Sequence, residues 1–138
     1  MSASLPNPSF PIRRPCPAGV CECGHLELLE SGNADLRILR LTLTEEKRLI
    51  ERLDAISDFD DLQKMQRLMF EQLGIQLEIS PGHTEVRSAR GLEIRFRDQP
   101  GLCRKTQKSI PAAIRRCLTA KPEILYRLLD SFDLFREL

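Results

Sequence analysis

The chain reads as an α+β protein, with helices packed on a small three-stranded antiparallel sheet around a single core. Two observations predict this. The spacing of apolar residues is helical over 45–73, alternates over 75–97, and is helical again from 110 onward. With 138 residues, 41% hydrophobic and 30% charged, there is material for one compact core but not for several. A Pro/Cys-rich arm over 1–33 is expected to precede a single domain over 34–138.

The arm carries Pro6, Pro8, Pro11, Pro15 and Pro17. Proline neither donates to a ladder nor continues a helix, so an extended, flexible arm is expected. It shows no cationic, apolar leader of the secretory kind, which points to the cytoplasm. His25 to Glu30 can form a short helical turn before Ser31-Gly32-Asn33. Leu36, Ile38, Leu39, Leu41 and Leu43 then make an apolar run, either a strand or a lead-in to a helix.

Thr44 ahead of Glu45 and Glu46 predicts a helix start, because a hydroxyl caps free amides and acids face the positive helix end. Leu49, Ile50, Leu53 and Ile56 form its apolar stripe. Ser57-Asp58 opens a second helix with the stripe Phe59, Leu62, Met65, Met69 and Leu73, closed by Gly74. Ile75, Leu77 and Ile79 then alternate with polar residues as a strand does. Pro81-Gly82-His83 makes a turn, with His83 solvent-exposed. Val86 centres a second strand, and Leu92, Ile94 and Phe96 form a third, in an antiparallel meander. After Gln99-Pro100-Gly101, a helix is expected to start at a Ser109 cap with Pro111 in its first turn, running through Ile110, Ala113, Ile114, Cys117 and Leu118. Pro122 opens the last helix, with Ile124, Leu125, Leu128, Leu129, Phe132 and Phe135 as its apolar face.

Five cysteines are present, and Cys16, Cys21 and Cys23 crowd together with His25 close behind. Three thiols and an imidazole are a donor set suited to zinc, which takes four Cys or His ligands in structural sites. The candidate ligands are Cys16, Cys21, Cys23 and either His25 or the distant Cys103. The spacing departs from the usual pairs of knuckles. Three other readings stand beside zinc: thiols without a ligand in a flexible arm, a redox role for Cys21 and Cys23, and an iron–sulfur cluster, for which no recognised spacing is present. Cys117, on the apolar face of its helix, reads as a small core residue.

Formal net charge is only +1, which excludes a globally basic nucleic-acid protein. Charge is nevertheless segregated. Residues 84–121 hold ten basic and three acidic side chains, whereas 22–83 hold seven basic and thirteen acidic. Arg95, Arg97, Arg104, Lys105, Lys108, Arg115 and Arg116 are the candidates for a face that meets an acidic partner, either nucleic acid or protein. Over 58–120, the order helix, three strands, basic loop, helix resembles a double-stranded-RNA-binding domain. Pro81-Gly82-His83 and Gly101 ahead of Arg104-Lys105-Thr106-Gln107-Lys108 carry that likeness. The Gly-Pro order is reversed, the strands are short and Pro111 interrupts the final helix, so no family is assigned and no binding residue is transferred.

No phosphate-binding Gly-rich loop, nucleophile elbow or His-Glu-x-x-His helix occurs. Asp58, Asp60 and Asp61 are explained by their place at a helix start. The expectation is therefore a small cytoplasmic binding or adaptor protein and not an enzyme. The alternatives are a thiol redox protein, or a structural subunit that packs Leu128, Leu129, Phe132 and Phe135 into a complex.

Overall fold

A computed structural model describes residues 12, 13, 28, 30, 35–81, 89–97 and 100–132. The described chain is α+β. Its helices are α1 (Leu43–Asp54), α2 (Phe59–Leu73), α3 (Arg104–Ala120) and α4 (Pro122–Ser131), and its strands are β1 (Leu77–Pro81) and β2 (Leu92–Phe96). Two short 3₁₀ turns, Arg37–Arg40 and Ala89–Gly91, lead into α1 and β2.

The run from Leu36 is a lead-in rather than a strand. Its 3₁₀ turn buries Ile38 and Leu39, and Leu41 follows them into the core. Arg37 fixes the turn from outside: its guanidinium grips the Asp35 carboxylate and donates to the carbonyls of Phe70 and Glu71, at 3.0 and 3.1 Å. Those carbonyls belong to the last turn of α2, and that of Phe70 also accepts from the amide of Gly74 at 2.9 Å.

The cap of α1 is Thr42, not Thr44. Its hydroxyl accepts from the amide of Glu45 at 3.3 Å. Leu53 and Ile56 are fully buried, whereas Leu49 and Ile50 are half-buried. α2 starts at Asp58, whose carboxylate accepts from the amide of Asp61 at 2.7 Å, and ends at Gly74. Gly74 takes φ +72°, the left-handed conformation that glycine enters without a Cβ penalty.

The sheet corrects the expected meander. β1 pairs directly and antiparallel with β2, Leu77 opposite Phe96 and Ile79 opposite Ile94, which leaves no place between them for a middle strand. Residues 82–88, with Val86 and His83, lie outside the described residues. The direct pairing also departs from the helix–meander–helix order behind the RNA-binding likeness. One sheet face is apolar, carrying Leu77, Ile79, Leu92, Ile94 and Phe96; the other carries Glu78, Ser80, Glu93 and Arg95.

α3 starts at Arg104, one and a half turns before the expected Ser109 cap, so Pro111 lies inside it. Ser109 instead donates to the carbonyl of Lys105 at 2.9 Å. The buried stripe explains the extension: Thr106 and Ile110 continue the line of Ala113, Ile114, Cys117 and Leu118 upstream. An interior proline costs a helix about 3 kcal/mol, and here Pro111 is itself buried. α1 and α3 lie side by side and run in the same direction. Glu46 meets Thr106 near one end, and Asp54 meets Arg116 near the other. At the far end, the carbonyl of Ile56 accepts from Cys117 Sγ at 3.3 Å and Lys121 Nζ at 2.6 Å. Burial raises the pKa of the Cys117 thiol, as befits a core residue.

Candidate functional site

Of the seven basic candidates, four are tied to the fold. Arg95 pairs with Glu93 at 3.0 Å, and Arg97 pairs across the sheet with Glu78 at 2.9 Å. Arg115 donates to the carbonyl of Leu92 at 3.1 Å, linking α3 to β2. Arg116 holds Asp54 through two bonds of 3.1 Å, linking α3 to α1.

Arg104, Lys105 and Lys108 are different. They lie exposed on the first two turns of α3, and no ion pair holds them among the described residues. The turn they occupy has no acidic residue, and the Cys103 side chain makes no capping hydrogen bond. Backbone amides there carry partial positive charge, so these cations sit where a helix tolerates them least. The expected basic face thus narrows to one helix start.

Beside it runs a groove of about 510 Å³ between α1 and α3. Leu43, Glu46, Lys47, Ile50 and Glu51 form one wall, and Lys105, Lys108, Ser109, Ala112 and Arg116 the other. Leu43 is 77% exposed at its mouth. The sequence reading passed over this groove. Its signal was the spacing of Leu43 to Ile50, seven residues apart on one helix face, opposite the small residues Ser109 and Ala112. A second cleft, of about 380 Å³, collects Arg40, Arg48 and Arg52 over Leu41, Leu49 and Met65. Arg48 is answered there by Glu45, and Arg52 by Asp61.

Cys16, Cys21, Cys23 and His25 lie outside the described residues. Cys103, half-buried, immediately precedes α3. Among the described residues no group of three or more His, Cys, Asp or Glu side chains gathers as a metal site would. The two ends of the cysteine-bearing stretch are nevertheless placed. The amide of Arg13 donates to the carbonyl of Leu39 at 2.6 Å, and Leu28 is buried in the core. A Cβ built on Gly101 would meet Ile38 at 2.8 Å and Leu28 at 2.9 Å, so only glycine admits that approach. Leu28 therefore reaches the corner of the core that holds Gly101, two residues before Cys103, while Arg13 is held at Leu39.

The acidic cluster is structural. Asp58 caps α2, and Asp61 accepts two bonds from the Arg52 guanidinium, one of them 3.0 Å, and a third from the amide of Ser57. The Arg52 hydrogen bonds lead in holding the Asp61 carboxyl down at about 2. The last helix does not present the face expected of it: Leu128 and Leu129 are buried in the chain's own core, because α4 packs on α2 and α3. Phe132 is 49% exposed, and Phe135 lies outside the described residues. Among the described residues no helix is long and apolar enough to cross a membrane.

In comparison with known proteins, no family model, no curated protein and no solved structure matches this chain.

Proposed function

We propose that this chain is a cytoplasmic binding protein rather than an enzyme, and that it meets an acidic partner, nucleic acid or protein, through Arg104, Lys105 and Lys108. One observation carries the reading. Three exposed cations, unanswered by an ion pair among the described residues, occupy a helix start whose own dipole opposes them. Local choices that work against local stability concentrate at functional sites. The other four basic candidates have structural partners and contribute at most to the surrounding field.

The test is titration of the full chain with a single-stranded DNA oligomer and with polyglutamate over a range of salt. Engagement of three phosphates gives a log–log salt slope of about −2 to −3 for the oligomer. Changing Arg104, Lys105 and Lys108 together to Glu removes binding of both probes. Absence of binding at low salt, or a variant that binds unchanged, overturns the reading.

The anchoring of the cysteine-bearing stretch favours a second reading, a zinc site of Cys16, Cys21 and Cys23 with Cys103 or His25. Cys16 is three residues past Arg13 in the sequence, and His25 three before Leu28, and both Arg13 and Leu28 are described residues with contacts to the body. Leu28 lies against Gly101, two residues before Cys103. Protein purified without added metal then carries one zinc, lost in a Cys21→Ser, Cys23→Ser double variant. The Cys103→Ser variant distinguishes the two fourth ligands. Metal-free protein with reactive Cys21 and Cys23 thiols instead supports the redox alternative.

A further inference from the structure

The groove between α1 and α3 adds an apolar element to this basic helix start. We propose that it is the docking site for an acidic, amphipathic helical segment of a partner protein. This rests on the acidic-partner reading and names the class of partner.

The groove matches such a segment in charge, polarity and shape. Its cations are Lys47, Lys105, Lys108 and Arg116, and its acids are Glu46 and Glu51. Arg116 is answered by Asp54, and Glu46 accepts from the Thr106 hydroxyl at 3.1 Å. That leaves Lys47, Lys105 and Lys108 facing the groove against Glu51. Because α1 and α3 run parallel, their amino ends lie at the same end of the groove, beside Lys47 and Lys105. Leu43, Ile50 and Ala112 are the apolar part of the same two walls.

A bare polyanion would satisfy the lysines and leave Leu43 in water. Among the described residues the groove also offers no aromatic ring for a nucleobase to stack on. A helix with acids on its flanks and an apolar stripe between them satisfies both. The wall from Lys105 to Arg116 runs about 16 Å, three helical turns. Leu43 and Ile50, two turns apart, suit apolar anchors at i, i+3, i+4 and i+7 on the incoming helix.

Three probes test the proposal on the full chain, followed by NMR of backbone amides and methyl groups. They are a synthetic Glu/Leu helix with leucines at i, i+3, i+4 and i+7, a scrambled peptide of the same composition, and a single-stranded DNA oligomer. The patterned peptide should bind at least about tenfold more tightly than its scramble and shift the methyls of Leu43, Ile50 and Ala112. Leu43→Glu, and Lys105→Glu with Lys108→Glu, should each weaken it by about tenfold or more. These side chains are exposed, and circular dichroism confirms that each variant folds. If patterned and scrambled peptides bind alike, if Leu43→Glu binds unchanged, or if DNA binds more tightly without moving those methyls, the groove is not the docking site. The acidic-partner reading then survives. Failure of every probe to bind removes both.

Discussion

At the start of α2, Asp58 accepts an amide, Asp60 and Asp61 face the positive helix end, and Asp61 reaches back to Arg52 on α1. At the start of α3, the corresponding turn holds Arg104 and Lys105, no acid and no side-chain cap. The two helices are of similar length, 15 and 17 residues, and both bury an apolar stripe in the same core. Their beginnings carry opposite charge. The first places charge where it strengthens the helix, and the second places charge where it weakens the helix and stays available to something outside it. α3 can carry that arrangement because Thr106, Ile110, Ile114 and Leu118 anchor it regardless.

Breaking the α2 start should have the largest effect. Asp61→Ala removes a bidentate ion pair with a half-buried carboxylate and should lower unfolding stability by about 2 kcal/mol, read from chemical denaturation. The pH dependence follows in sign. The folded-state pKa of Asp61, about 2, lies below an ordinary unfolded value near 3.9, so its contribution is complete above about pH 4 and fades as pH falls toward 2. The slope of stability against pH in that window should flatten in Asp61→Asn. Asp58→Ala, which deletes only the cap, should cost about 1 kcal/mol. At the α3 start the sign reverses: Lys105→Glu should raise stability by about 0.5 kcal/mol while it weakens polyanion binding. Smallest of all, Leu43→Ser should move stability by less than about 0.5 kcal/mol, because that side chain is largely in water. A substantial loss at Leu43 would mean that it supports the fold rather than waits for a partner.

What could be read from the sequence was the local part. The α2 stripe, its Asp58 start and its Gly74 stop depend on residues within a turn of one another, and the structure agrees with each. Local signals also misled where two satisfied the same rule. Thr42 and Thr44 both precede acids, and Ser109 with Pro111 imitates a helix start inside a helix that began upstream. Strand pairing is not local: three alternating residues around Val86 cannot say whether they sit between the flanking strands, and β1 with β2 pairs without them. The basic face was visible as a count of charges. Which cations stay unanswered depends on Glu93, two residues from Arg95 on one strand face, and on Glu78 and Asp54, acids that only folding brings alongside.

Gly101 has a consequence for how the chain tolerates change. Leu28 and Ile38 close over it, 2.9 and 2.8 Å from where a Cβ would stand, and its φ is +87°. A single methyl added at residue 101 should therefore push those two core side chains apart and strain the backbone, a larger disturbance than the replacement of an exposed side chain on any of the helices.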